Sequence, residues 1–203
     1  MKSIIKNIVY TLFSPFFIRK GNNDYIYITF DDGPHPENTS NILNVLTKHN
    51  VHATFFMTGM EMEKHSDIVK QVFASGNTIG YHGYSHQSMR KQSLGEFIHD
   101  IKHARILEKT FNIRLKLYRP PFGDITPMGF IYLILNGWKI IMWSLDSRDS
   151  YDTEIQILKN VSPANLSKGE ILLFHDDYEK TVRLLDSVID QCKKANLVFG
   201  DNL

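Results

Sequence analysis

Asp31, Asp32, His82, His86, Arg119, Asp146, Asp149 and His175 are the residues of this 203-residue chain whose types could do chemistry together. Asp32 with His82 and His86 would make one carboxylate and two imidazoles, a donor set that holds a catalytic divalent metal and leaves a coordination position free. The His-x-x-x-His spacing alone says little, because His99 and His103 repeat it. Position separates the two pairs: 99 and 103 fall in mid-helix and read as a solvated face, whereas 82 and 86 follow a strand. Neighbouring side chains in extended chain point opposite ways, so Asp31 is left free of the metal as a general base for water. Arg119 is the partner that would orient Asp31 and keep it ionised. His175 would protonate a leaving amine, with Asp149 holding its imidazolium form. Together these groups describe metal-assisted hydrolysis. His35, His49, His52 and His65 take a structural reading, and Asp176-Asp177 read as turn caps.

Those residues need elements to bring them together. Runs rich in Ile, Tyr, Phe and Val predict strands at Tyr25–Phe30, Ala53–Thr58, Thr78–Tyr81, Leu115–Arg119, Lys139–Ser144, Glu170–Phe174 and Leu197–Phe199. Helical spacing is predicted at Thr39–His49, Asp67–Ser75, Leu94–Phe111, Pro127–Asn136, Thr153–Val161 and Lys180–Ala195. Strand–helix alternation of this kind predicts a parallel α/β sheet, and about seven units favour an irregular (β/α)7-type barrel in a single domain. Each chemical residue then sits at or just beyond a strand end: Asp31-Asp32 after the first, His82 and His86 after the third, Arg119 closing the fourth. Asp146 and Asp149 follow the fifth strand and His175 the sixth. In a parallel barrel these ends share one face, where active sites of that architecture lie.

Composition narrows the partners. The net charge of +1, with 42% hydrophobic and 22% charged residues, gives no basic excess for nucleic acid and no acidic tail. The lone cysteine, Cys192, rules out an intrachain disulfide and a multi-cysteine metal site, and its helical spacing with Leu185, Val188 and Ile189 marks a packing thiol. Residues 1–22 form a basic, aromatic segment ahead of a domain spanning 23–203. Lys2, Lys6, Arg19 and Lys20 flank Tyr10, Phe13, Phe16 and Phe17, a mix that suits peripheral contact of residues 1–20 with a membrane surface. The uncharged run 7–18 is too short to span a bilayer, which takes about 20 apolar residues. Packing against the domain is a second reading, and export by an uncleaved segment a third, since Arg19-Lys20 stands where a small-residue cleavage site would be. The expected placement is cytoplasmic, peripheral to the membrane, with export as the alternative.

Five motifs carry a family resemblance. Thr29-Phe30-Asp31-Asp32-Gly33-Pro34, His82-Gly83-Tyr84-Ser85-His86, Arg119-Pro120-Pro121-Phe122-Gly123, Asp146-Ser147-Arg148-Asp149 and Leu173-Phe174-His175 resemble, in order, the motifs of the NodB homology domain. The chain is thereby similar to the polysaccharide deacetylases, a carbohydrate esterase family 4-like group, from about Tyr25 to its C-terminus. The resemblance implies a NodB-like deacetylase fold with one divalent metal on Asp32, His82 and His86. Zinc is the first expectation, with iron, cobalt, nickel or manganese as alternatives. It implies removal of an N-acetyl group, with N-formyl as the alternative, from an amino sugar in a poly- or oligosaccharide or glycolipid. It further implies that the Phe122 N–H supports the oxyanion, that Leu173 lines the acyl-methyl pocket and that Pro120 borders the substrate. Two departures stand out. Gly83 replaces the usual serine or threonine, and Ser150 replaces a tryptophan that walls the acyl pocket, for which Trp143 is the nearest substitute. Rival readings are an inactive carbohydrate-binding module and an amide hydrolase acting on a non-sugar substrate.

Overall fold

The computed structural model describes residues 15–201 and 203. Eight strands form one sheet: β1 Phe17–Ile18, β2 Tyr27–Asp31, β3 Thr54–Met57, β4 Thr78–Tyr81, β5 Leu117–Tyr118, β6 Lys139–Ile141, β7 Leu145–Asp146 and β8 Ile171–His175. Their order is β1-β6-β5-β4-β3-β2-β8-β7, and each pairing is parallel. Parallel neighbours require crossovers, and helices supply most of them. These are α1 Asn38–His49, α2 Gly59–Lys64, α3 Ser66–Ala74, α4 Leu94–Phe111, α5 Pro127–Leu135, α6 Glu154–Asn160 and α7 Glu179–Lys194.

Connectivity forces the sheet to curl. Strands β6 and β7 lie near opposite ends of the order, yet only residues 142–144 separate them. That stretch reaches at most about 14 Å from Ile141 to Leu145 when fully extended, so the two ends of the sheet must come close. The result is a curled partial barrel, bridged across its seam by Met142–Ser144.

Alternation along the strands then sorts side chains. Tyr27 joins Phe56, Leu117, Ile141 and Ile171 in a small apolar cluster on one sheet face. Ile26, Ile28 and Phe30 belong instead to the larger cluster shared with the helices. By the same period of two, Thr29 and Asp31 share the face of Tyr27. Gly80 is needed on β4, because a Cβ there would stand 2.4 Å from the Phe56 ring.

The predicted fold class holds, with differences of detail. Leu197–Phe199 contributes only an isolated parallel bridge, Phe199 to Ile26. The run 139–144 breaks into β6, a crossing and then β7, which lies beyond its predicted end. Two-residue strands such as β1 and β7 are too short to show a period, and α2 has six residues with two buried, so none of the three announces itself in sequence. Cys192 is fully buried on α7 beside Leu185, Val188 and Ile189, and burial pushes its thiol up to about 11, an inert packing group.

Of the basic, aromatic segment, Phe17 and Ile18 pair with Ile140 and Ile141, while residues 1–14 lie outside the described residues. Among the described residues no helix is long and apolar enough to cross a membrane.

Candidate metal centre and active site

Strand β2 ends by splitting its two aspartates. Asp31 remains in the ladder, paired with His175 on β8. Asp32 takes a left-handed φ of 78°, which turns its carboxylate out of the strand's alternation. Asp32 Oδ1 lies 3.5 Å from His82 Nε2 and 3.2 Å from His86 Nε2. It is buried and accepts no hydrogen bond. One ligand atom from each of the three residues falls within 4.8 Å of the others. A tetrahedral ion with bonds of about 2.0–2.2 Å sets its ligand atoms about 3.4 Å apart. An orphaned carboxylate oxygen at that spacing from two imidazoles fits a divalent cation.

The imidazoles are prepared as ligands. His82 is 2% exposed, and burial drives its pKa down to about 3, so the ring is neutral. Its Nδ1 donates to the Arg119 carbonyl at 2.7 Å, which leaves Nε2 with a lone pair facing Asp32. The loop carrying both histidines is gripped by backbone. The Gly59 and Met60 N–H groups at the start of α2 donate to the Gly83 and Tyr84 carbonyls, both at 2.9 Å. Asp100 on α4 accepts from the Tyr84 N–H at 3.1 Å and from the Tyr81 hydroxyl at 2.6 Å. Gly83 has φ 76°, so any side chain there would strain the backbone. With glycine at this position, Asp100 and the α2 N-terminus hold the loop.

On the other side of Asp31 lies Arg119, wholly buried. It donates to Asp31 Oδ1 and to Thr29 Oγ1, both at 2.7 Å, and to the carbonyls of Ile141 and Met142 at 3.2 and 3.1 Å. Its guanidinium also stacks over Phe56 at 4.0 Å. It thus ties β2 to the β6–β7 seam while aiming one carboxylate. Burial raises the Asp31 carboxyl above its ordinary range, opposed by the charges of Arg119 and His175.

His175 closes the arrangement. Its Nδ1 and its own N–H donate to the two oxygens of Asp149, each at 2.7 Å, and Thr181 Oγ1 donates to the same carboxylate at 2.6 Å. Burial alone would depress the imidazole, but the hydrogen bond and charge of Asp149, with Asp31 and Asp32 behind, lift it to about 9. Asp149 itself is fully buried. The neighbouring Asp176 is no surface cap: it is buried, accepts from Thr39 Oγ1 at 2.5 Å and sits so close to Gly33 that a Cβ there would overlap it.

A cavity of about 460 Å³ opens over this cluster. Asp31, Asp32, His82, His86, Pro120, Phe122, Trp143, Leu173 and His175 all line it. Arg119 and Asp149 are not in its wall and act from behind it. Phe122 has φ 59°, in a turn closed by the Gly123 and Asp124 N–H groups, and its ring meets His86 at 4.6 Å. Trp143 packs against this turn, 3.1 Å from where a Gly123 Cβ would be. His99 and His103 lie apart, in a separate shallow cavity with Tyr84, Ser85 and Asp100, and His103 Nε2 pairs with Glu63 at 2.9 Å.

Sequence reasoning passed over Asp100, Tyr151 and Tyr178. Both tyrosines line the main cavity with Asp146 and Ser150. They too follow strand ends within a few residues, so the positional rule would have found them had it been extended beyond titratable types. Tyr151, backed by the Arg148 guanidinium at 4.8 Å, stands beside Ser150 on that wall. Asp100 was visible only as an acid in mid-helix, among the polar Glu96, His99 and His103.

Comparisons with known proteins give the chain a family and a fold likeness. A family model described as polysaccharide deacetylase matches residues 18–128. A Bacillus cereus peptidoglycan-N-acetylglucosamine deacetylase is 33% identical over 183 residues, covering 88% of this chain and 66% of that protein. The peptidoglycan-N-acetylmuramic acid deacetylase PdaC of Bacillus subtilis is 30% identical over 169 residues, 83% of this chain but 36% of its own length. The chain therefore spans from about a third to two thirds of these two relatives. Among solved structures, the Bc1960 peptidoglycan N-acetylglucosamine deacetylase superposes with a TM-score of 0.87 at 31% identity, covering 94% of this chain and 93% of that one. A Bacillus anthracis protein described as a CE4 family pseudoenzyme superposes at 0.84 with 25% identity, covering 92% and 67%.

Proposed function

We propose, from the premise that this chain belongs to the polysaccharide deacetylase family, that its cavity hydrolyses the N-acetyl amide of an amino sugar in a peptidoglycan-like polymer. The observation that carries the reading is one cavity in which a metal-ready triad shares the wall with an arginine-held carboxylate and an aspartate-held histidine. Asp32, His82 and His86 would hold one divalent cation, zinc in the first instance with iron, cobalt, nickel or manganese as alternatives. When bound, that ion supplies Lewis-acid polarisation of an acyl oxygen and a more acidic water.

The chain's own groups do the rest. Asp31, aimed by Arg119, takes the proton from the attacking water. The Phe122 N–H, on its left-handed turn, steadies the charge that develops on the acyl oxygen. Leu173 and Trp143 enclose the acyl methyl, Pro120 borders the sugar, and the exposed side of Tyr151 replaces part of the wall absent at Ser150. His175 delivers a proton to the departing amine, and Asp149 keeps that proton available at neutral pH.

A donor works only below its pKa, so the raised value of His175 sets the alkaline limit of turnover. In Asp149→Asn the charge that lifts the imidazole is gone while its burial remains. The descending limb of kcat against pH is expected to move down by roughly one unit or more. A limb unmoved between the two proteins would assign that limit to another group.

Several finer points belong to the same reading. Relatives named for peptidoglycan favour a polymer over a glycolipid substrate. Of the two placements left open by the sequence, cytoplasmic or exported by the N-terminal segment, a wall polymer favours the exported one. Residues 1–20 then serve as a membrane contact. Against a non-catalytic role like that of the Bacillus anthracis pseudoenzyme stands the presence of Asp31, Arg119, Asp149 and His175 with the triad. Acetate released from N-acetyl amino-sugar oligomers and from peptidoglycan, and formate released from N-formyl oligomers, test the proposal. Release from N-acetylated glycans is expected, and none from any of these substrates would overturn it.

A further inference from the structure

The flank formed by α5 has a composition unlike the rest of the surface. Its sequence, PMGFIYLIL, contains no charged residue. Gly129 and Leu133 alone on it are buried, whereas Met128, Ile131 and Leu135 are 56%, 47% and 80% exposed. These three fall at i, i+3 and i+7, one side of the helix. At its far end the helix meets the beginnings of β1, β6 and β5. Phe16, 36% exposed, accepts from the Ile140 N–H, and the Lys139 N–H donates to the Lys116 carbonyl at 2.8 Å. Lys139 and Arg114 are exposed there. Burial, with the neighbouring Arg105 and Arg114 charges, holds Lys116 below its usual range, while Glu108 opposes. Glu108 is itself engaged by Arg105 at 2.6 Å.

An exposed apolar ridge bordered by cations is the chemistry of an interfacial membrane contact. We propose that α5, Phe16 and the cations Arg114, Lys116 and Lys139 form the folded domain's own docking surface for an anionic lipid bilayer. This deepens the membrane contact proposed for residues 1–20 and needs that segment only as a neighbour. The described chain begins at Pro15, immediately before Phe16 on this same edge. Its sequence is complementary to the same partner: Lys2 and Lys6 with no acidic residue, and Ile4, Ile5, Ile8, Val9, Leu12 and Phe13 at helical i, i+4 spacing.

The consequence is an orientation. α5 leaves the catalytic end after the Pro121–Gly123 turn and finishes where β6 begins, so Leu135, Phe16 and the cations lie at the N-terminal strand ends. The cavity opens at the C-terminal ends. A bilayer on this flank lies along the side of the strands, so the mouth stays uncovered beside the lipid, open to a polymer.

Vesicle co-sedimentation of the full chain is the test, with phosphatidylglycerol–phosphatidylcholine vesicles against phosphatidylcholine alone. Wild type is expected to partition to the anionic vesicles. Ile131→Glu/Leu135→Glu should lower that partitioning at least tenfold, and Arg114→Glu/Lys139→Glu comparably, with acetate release from a soluble N-acetylated oligomer unchanged. Lys2→Glu/Lys6→Glu reads the segment separately. Equal partitioning of the α5 variant and wild type would overturn the surface while leaving the segment's role standing. Absence of binding by wild type would overturn both. Self-association of wild type that the α5 variant abolishes, without lipid binding, would overturn it in favour of a second copy on this face.

Discussion

Asp31→Asn is expected to keep its metal and to lose about 10²–10⁴ of turnover, the range for removing one general base. The substitution is isosteric and leaves the triad untouched, since Asp31 lies 3.6 Å from His82 Nε2 whereas Asp32 faces both imidazoles more closely. Arg119 keeps its bonds to Thr29 and to the carbonyls of Ile141 and Met142, so the seam it closes should persist. What disappears is a buried carboxylate able to take a proton. Metal content and acetate release, measured on the same preparation, separate the two roles. A variant with full metal and a near-normal rate would place the base elsewhere.

Asp32→Ala is expected to do the reverse and lose the metal itself. It removes the only carboxylate of the set and leaves two imidazoles, so the loss in affinity should exceed the roughly 10–100-fold that follows from deleting an outer partner of a ligand. A second expectation has the opposite sign. Without metal, Asp32 Oδ1 is a buried acceptor with no hydrogen-bond partner, and its charge helps to raise the carboxyls of buried Asp176 and its neighbour Asp177, to about 8 and about 6. Burial is the larger cause of both shifts, and the Asp32 charge adds to it. Removing that carboxylate should therefore leave the metal-free variant at least as resistant to urea as metal-free wild type, while addition of zinc stabilises only wild type. A metal-free variant much less stable than metal-free wild type would assign Asp32 a structural role.

The parallel α/β architecture was legible because its longest strands are apolar: Tyr27–Asp31 and Ile171–His175 pair over five residues each. The strand-end rule then gathered Asp31, Asp32, His82, His86, Arg119 and His175, since parallel strands deliver their C-terminal ends to one face whatever the distance in sequence. Phe122 and Leu173 came from the family resemblance alone, because neither residue type announces an oxyanion donor or an acyl-pocket wall. What escaped depends on tertiary placement. The left-handed φ of Asp32 is set by the chain beyond β2 and not by residue type, as aspartate adopts either conformation. Asp100 reaches the histidine loop from the middle of α4, a contact no local pattern encodes. The crossing at 142–144 looked like a continuation of β6, because Met142 and Trp143 suit a strand as well as a seam.

The central claim is that one divalent ion on Asp32, His82 and His86 is needed for amide hydrolysis. Titrating zinc into chelator-stripped protein, with bound metal and acetate release from an N-acetylated oligosaccharide followed together, tests it most directly. Activity should be absent from the stripped protein and return in proportion to occupancy, reaching its maximum at one ion per chain. Stripped protein that released acetate at the untreated rate would contradict it.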